Sequence, residues 1–88
     1  MALPIIRLGD PTSHGGKVIS ASTTHIISGL GIARVGDSVS CPIPGHGINP
    51  IVEGVPTFLI GERMVALQGH HSACGCTLIS SLLAATHG

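Results

Sequence analysis

The side chains in this sequence best suited to chemistry are its 3 cysteines and 6 histidines. Cysteine thiolates and neutral imidazoles are the preferred protein ligands of Zn²⁺. An odd number of cysteines does not close into a disulfide framework, so it favours thiol or metal chemistry in a reducing compartment. The cysteines and some of the histidines are therefore candidates for a metal site, and their positions depend on how the chain is organised.

Three segments of the chain align as an internal repeat. Each runs from apolar residues into a glycine and reaches a His or Cys 5 positions later. The segments are residues 6–14, 33–41 and 66–74. Each is followed by a second apolar run, which begins at Val18, Ile51 or Leu78. Because neighbouring repeats bury faces that none could bury alone, this pattern predicts a body with pseudo-threefold symmetry.

The repeat register selects the candidate metal ligands. His14, Cys41 and Cys74 occupy equivalent positions, and the middle repeat carries about six extra residues that include His46. A threefold axis would bring the three equivalent residues together, and the inserted loop would supply the fourth. Four protein ligands complete a tetrahedral zinc site and leave no position for an activated water. We therefore predict one structural Zn²⁺ held by His14, Cys41, His46 and Cys74.

The ligand from the third repeat is open between Cys74 and three close neighbours. His70, His71 and Cys76 lie in the same short stretch of the chain. Cys74 fits the repeat register best. A site of three histidines and one cysteine, with His70 or His71 in place of Cys74, satisfies the same coordination chemistry. Cys76 is a further alternative.

The composition and turn signals indicate a small all-β domain. The chain has 13 glycines and one phenylalanine, with no tyrosine or tryptophan. Glycine and branched aliphatic residues favour short strands joined by tight turns. Residues 28–31 and 59–63 are typical of hairpin turns, and the repeat register places residues 78–80 on a strand despite some helical propensity. A chain of this length forms one domain, which we assign to residues 1–88.

The charge pattern excludes several classes of partner. Four basic residues balance four acidic ones, so the chain has no basic surface for nucleic acid or for anionic lipid. Its low charge and positive mean hydropathy indicate that a partner covers part of the surface. The first residues lack the pattern of a signal peptide, and no apolar stretch approaches the length of a membrane span. We therefore expect synthesis in the cytoplasm.

Two other functions compete with a purely structural role. A zinc hydrolase would use His70, His71 or Glu53 as its base beside an open metal position, but a small glycine-rich domain has little volume for a substrate pocket. A zinc-ribbon-like module that binds nucleic acid would need basic clusters and stacking aromatics, which the sequence lacks. We therefore expect a protein that is not an enzyme.

Over residues 5–86 the sequence resembles the PAAR-repeat proteins, named for a Pro-Ala-Ala-Arg motif. The motifs that carry this resemblance are the glycine–aspartate turns and residues 14–16, 41–47, 49–54 and 73–76. The eponymous motif appears only in altered form, at residues 31–34 and 63–66. The third turn has Gly69-His70 where Gly-Asp is usual.

The resemblance implies a conical β domain with a zinc ion near its point. It implies that the broad base docks on the blunt end of the trimeric valine–glycine repeat spike protein of the bacterial type VI secretion system, with one chain per trimer. Such a cone sharpens the spike for puncturing the target cell envelope, with transient contact with the target membrane. The resemblance further implies export with the spike and attachment of secreted effectors, and we expect this chain to be a bare tip without an extra domain.

Overall fold

Every regular element of the described chain is a β-strand. The computed structural model describes residues 3–27, 29–42, 47–81 and 86–87. The strands are β1 (Leu3–Pro4), β2 (Lys17–Val18), β3 (Ile26–Ile27), β4 (Leu30–Gly31), β5 (Ser38–Cys41), β6 (Gly47–Pro50), β7 (Val55–Ile60), β8 (Arg63–Val65) and β9 (Thr86–His87). The all-β prediction is confirmed. Among the residues that the structure describes, no helix has the length and apolarity to cross a membrane.

A closed ring of three backbone hydrogen bonds joins the three repeats. The N–H of Ile6 donates to the carbonyl of Ala66, the N–H of Ala66 donates to that of Ala33, and the N–H of Ala33 donates back to that of Ile6, at 2.9–3.0 Å. A second ring of backbone hydrogen bonds joins other equivalent residues of the repeats. In it the N–H of Ile19 donates to the carbonyl of Ser38, that of Val52 to His71, and that of Ile79 to Pro11. Because each repeat donates to one neighbour and accepts from the other, the predicted pseudo-threefold arrangement is confirmed.

Three antiparallel strand pairs extend the repeats. β3 pairs with β4, and β7 pairs with β8, so hairpins form at the two predicted turns. The third pair consists of β1 and β9, which come from opposite ends of the described chain. The third pair therefore lies between the third repeat and the first, as the two hairpins lie between the other repeats, and it closes the ring of repeats.

The core is built from equivalent aliphatic residues of the three repeats. The central cluster comprises Ile6, Val18, Ala33, Val39, Ile51, Ala66 and Leu78, all at most 1% exposed. A second cluster comprises Ile5, Ile32, Ile60, Val65 and Leu67. Full burial of one such large aliphatic side chain contributes about 1.5–3 kcal/mol. A core with so few large side chains is typical of small domains that recruit a further stabilising element.

The bridges between repeats show which residues are equivalent. Arg7 pairs with Ile32, Arg34 pairs with Val65, and Leu67 pairs with Ile5. Residues 4–7, 31–34 and 64–67 are therefore structurally equivalent, in agreement with the aligned segments 6–14, 33–41 and 66–74. This register places the altered motif of the third repeat at residues 64–67 instead of 63–66.

The overall dimensions suit a body built around one axis. The principal extents are 33 × 24 × 24 Å. Two equal transverse extents are expected when three similar units surround a common axis, and the longer third dimension agrees with a cone. The fold thus brings equivalent positions of distant repeats to the same level along the axis, where a shared site can form.

Candidate metal centre

Four metal-competent side chains converge at one place in the structure. The donor atoms of His14, Cys41, Cys74 and Cys76 all lie within 4.8 Å of one another. The Sγ atom of Cys76 is 2.9 Å from Nδ1 of His14, 3.0 Å from Sγ of Cys74 and 3.4 Å from Sγ of Cys41. Cys76 therefore contacts all three other members of the cluster, which we call the donor cluster.

A tight turn in the first repeat positions His14. The N–H of Gly15 donates to the carbonyl of Thr12 at 3.1 Å, and the N–H of Thr12 donates to the carbonyl of Gly16 at 3.0 Å. Gly15 has a φ of 85°, a conformation that favours glycine. The turn therefore holds His14 at its corner, where the imidazole reaches the sulfurs of the other repeats.

The third repeat forms the same turn, with two cysteines on it. The backbone N–H of Gly75 donates to the carbonyl of Ser72, and the backbone N–H of Ser72 donates to the carbonyl of Cys76, both at 3.0 Å. Gly75 has a φ of 88°. Cys74 is thus the counterpart of His14, and Cys76 is the counterpart of a glycine in the first repeat. The side chain of Cys76 is fully buried, because it points into the group of donors around the axis.

The sheet formed by β2, β5 and β6 brings Cys41 to the same group. Cys41 is the last residue of β5, the central strand. A Cβ atom added at Gly16 would lie 1.8 Å from the carbonyl oxygen of Ser40. The absence of a side chain at Gly16 therefore allows the first repeat to approach β5, and this approach sets Cys41 Sγ 3.7 Å from Nδ1 of His14.

The two cysteines on the third turn shift each other's pKa in opposite directions. Burial disfavours a thiolate at Cys74, but hydrogen bonds from Cys76 and Ser72 outweigh burial and lower its pKa to about 5. Burial, together with the neighbouring sulfurs of Cys74 and Cys41, raises the pKa of Cys76 to about 11. These shifts favour the thiolate form at Cys74 and the thiol form at Cys76.

Polar neighbours fix the orientation of Cys74. Its backbone N–H donates to Oδ1 of Asn49 at 3.2 Å, and its Sγ lies 3.3 Å from Oγ of Ser72. The Nδ2 of Asn49 is buried and has no hydrogen-bond partner among the described residues. Asn49, on β6, therefore connects the middle repeat to the turn that carries two of the donors.

The structure brings together three of the four residues that the sequence predicted. His14, Cys41 and Cys74 lie in the donor cluster, and Cys76, which the sequence offered only as an alternative, joins them. His46 lies outside the described residues. The metal ligands therefore stay a prediction. The sequence signal that pointed to Cys76 was the Cys-Gly-Cys spacing, which places two thiols on one turn.

The two histidines offered as alternatives have other contacts. His70 accepts a hydrogen bond from the backbone N–H of Leu67 through Nδ1, at 2.9 Å. The Nδ1 of His71 lies 2.5 Å from Oε1 of Glu53, and both side chains are about half exposed. The hydrogen bond from His71 lowers the pKa of Glu53. Neither histidine belongs to the donor cluster.

Comparison with known protein families gives one match. A family model described as the PAAR motif matches residues 8–80. The matched range includes all four residues of the donor cluster and both turns that carry them. No curated protein was found to match the chain. The match therefore covers most of the repeat, and the donor cluster lies inside it.

Proposed function

The chain belongs to the PAAR-motif family, and from this membership we propose that it is a zinc-stabilised structural cap on the trimeric valine–glycine repeat spike of the bacterial type VI secretion system. The observation that carries the proposal is the pair of closed hydrogen-bond rings that relate the three repeats. A single chain with three equivalent faces can match a partner with true threefold symmetry. The low net charge of the chain suits an extensive interface.

The donor cluster is suited to a structural zinc ion. Three thiols and one imidazole form a donor set that Zn²⁺ prefers, and four protein ligands leave no position for a reactive water. His14, Cys41, Cys74 and Cys76 would hold the ion, which when bound supplies a crosslink between all three repeats. Metal binding of this kind stabilises small domains by about 10 kcal/mol. This role supports a protein that is not an enzyme.

The mechanical role follows from the place of such a cap on the spike. A pointed, metal-crosslinked body at the blunt end of a trimer concentrates force on a small area of the target envelope, so the cap helps the spike to puncture it. One chain per trimer satisfies the symmetry. The cap would leave the cell with the spike, contact the target membrane transiently, and offer its outer surface to secreted effectors.

Co-expression with a trimeric spike protein tests the partner and the stoichiometry together. Native mass spectrometry of the purified complex should give one cap for each spike trimer, because the three repeats already fill the three equivalent positions. Three caps per trimer would contradict the symmetry argument. Separate elution of the two proteins, with the cap folded and metal-loaded, would overturn the proposal of a spike cap.

Substitution of cobalt for zinc distinguishes the two candidate sets of ligands, one with Cys76 and one with His46. Thiolate-to-cobalt charge-transfer absorption grows with the number of bound cysteines. We expect Cys76→Ser to reduce this absorption and weaken metal binding, and we expect the matched variant His46→Ala to leave both unchanged. The opposite pattern would favour the set His14, Cys41, His46 and Cys74 that the sequence predicted.

A further inference from the structure

The two cysteines on the third turn form a close pair of thiols. Only Gly75 separates Cys74 from Cys76, and their Sγ atoms lie 3.0 Å apart. A disulfide bond has an S–S length of about 2.05 Å, so a shift of about 1 Å joins them. We propose that Cys74 and Cys76 are a redox-active dithiol, which a two-electron oxidant such as hydrogen peroxide converts to an intrachain disulfide.

Accessibility assigns the order of the two steps. Cys74 is partly exposed, whereas Cys41 and Cys76 are buried. Hydrogen peroxide therefore reaches Cys74 first. The sulfur of Cys74 attacks one peroxide oxygen, the O–O bond breaks, and the products are a sulfenic acid on Cys74 and water. The sulfur of Cys76 then attacks that of Cys74, a disulfide forms, and the hydroxyl group leaves as a second water.

The alternative disulfide, between Cys76 and Cys41, is disfavoured by the surroundings of the two sulfurs. They lie 3.4 Å apart, and both residues are at most 6% exposed. Cys41 is also held in the central strand of its sheet by β2 and β6 on either side. Cys74 and Cys76 need only a local adjustment of the turn around Gly75. A disulfide that closes so small a ring is strained and easily reduced, so the oxidation is reversible.

Oxidation has a consequence for the metal, and this part rests on the proposed function. A disulfide withdraws two of the four donors in the cluster, because the ligands of zinc are thiolates. His14 and Cys41 alone do not complete a tetrahedral site. Formation of the disulfide therefore releases the zinc ion, and a reductant restores the site. The dithiol thereby couples the stability of the cap to the redox state of its compartment.

Tryptic digestion of the metal-free protein locates the bond directly. Cleavage after Arg34 and Arg63 places Cys41 on one peptide and both Cys74 and Cys76 on another. After treatment with hydrogen peroxide, the peptide of residues 64–88 should lose two hydrogen atoms, and reduction with dithiothreitol should restore them. A crosslink between peptides 35–63 and 64–88, or irreversible oxidation of Cys74 without a disulfide, would overturn the proposal.

Two matched variants separate the roles of the cysteines. Cys41→Ser should still form the disulfide, because Cys41 is not one of the two residues that the bond joins. Cys76→Ser should stop at the sulfenic acid of Cys74, which dimedone traps as an adduct. Because the wild-type peptides locate the bond by themselves, the test holds even where a variant fails to fold. Unchanged disulfide formation in Cys76→Ser, now with Cys41, would contradict the assigned pair.

Zinc release is measured separately from disulfide formation. In the zinc-loaded protein, a chromophoric chelator should report one released zinc ion for each disulfide formed after peroxide treatment. A disulfide that forms without zinc release would overturn the link to the metal. A protein that never binds zinc but forms the disulfide would contradict the metal part of the proposed function and support the dithiol, so the two failures are distinguishable.

Discussion

The imidazole of His70 accepts a hydrogen bond from the backbone N–H of Leu67, through Nδ1, at 2.9 Å. In the other two repeats the equivalent N–H group donates to an aspartate carboxylate, from Arg7 to Asp10 at 2.7 Å and from Arg34 to Asp37 at 2.8 Å. His70 therefore accepts in the third repeat the hydrogen bond that an aspartate accepts in each of the other two. This explains how the third turn keeps the same shape with Gly-His in place of Gly-Asp.

Removal of the His70 side chain should destabilise the turn without removing metal. His70→Ala leaves the N–H of Leu67 without its acceptor, and an unsatisfied buried donor costs about 1–3 kcal/mol. We expect His70→Asp to retain most of the free energy of unfolding, since it restores the acceptor found in the other repeats. Chemical denaturation with metal analysis checks both effects. The control is His71→Ala, which should change the free energy of unfolding by less than about 0.5 kcal/mol because His71 is exposed. Loss of zinc from a folded His70→Ala variant would contradict this prediction and show that His70 is a metal ligand.

The repeat register was predictable because it is written in local patterns. Each repeat carries apolar residues, a glycine and a His or Cys at constant spacing, and the glycine is needed where φ is positive, as at Gly9, Gly36 and Gly69. The hairpins follow from local turn signals for the same reason. These features depend on residues close together in the chain, so a single sequence contains them.

The position of Cys76 was not predictable from the repeat. Its counterpart in the first repeat is Gly16, which has no side chain, so symmetry gave no reason to place a donor there. Gly16 lets β2 approach β5, and the thiol of Cys76 contacts the donors of the two repeats that meet there, His14 and Cys41. Such a placement depends on packing between distant repeats, which local spacing does not encode.

Replacement of Gly16 should disrupt the donor cluster more than replacement of another glycine. In Gly16→Ala the new Cβ would lie 1.8 Å from a backbone oxygen, at Ser40, so the two strands must separate. We expect loss of zinc binding and of the cooperative unfolding transition. The matched variant Gly9→Ala meets no atom within 4 Å and bears only the strain of a positive φ, about 1 kcal/mol. Zinc content and thermal unfolding compare the two, and equal effects would contradict the steric argument.

The carboxylate of Asp37 links two repeats through charged hydrogen bonds. It accepts from the guanidinium of Arg34 at 3.0 Å and from that of Arg63 at 3.3 Å, and it is 4% exposed. Because hydrogen bonds to a charged partner contribute about 1.5–3 kcal/mol, we expect Asp37→Asn to lower the free energy of unfolding by about 2 kcal/mol. Urea denaturation measures the change. The control is Glu62→Gln, which removes the same charge at an exposed position. A similar decrease in its free energy of unfolding would show that net charge, and not the hydrogen bonds of Asp37, causes the effect.

The pH dependence of alkylation distinguishes Cys74 from Cys76 in the metal-free folded protein. With its pKa lowered to about 5, Cys74 remains a thiolate at pH values where an ordinary thiol, with a pKa of about 8.5, is protonated. Iodoacetamide should therefore modify Cys74 at a rate that falls only as the pH approaches about 5. Cys76, with its pKa raised to about 11, should stay unmodified throughout the neutral range.

The lowered pKa of Cys74 fixes the sign of its own contribution to stability as the pH changes. The folded pKa of Cys74 lies below its unfolded value, so its contribution to the stability of the metal-free protein is present above about pH 8.5 and is lost as the pH falls through about 5. Mass spectrometry of the alkylated peptides over this range measures the titration of each sulfur, and guanidinium-unfolded protein is the control. An alkylation midpoint near that of the unfolded chain would show that the hydrogen bond from Cys76 does not hold a thiolate at Cys74.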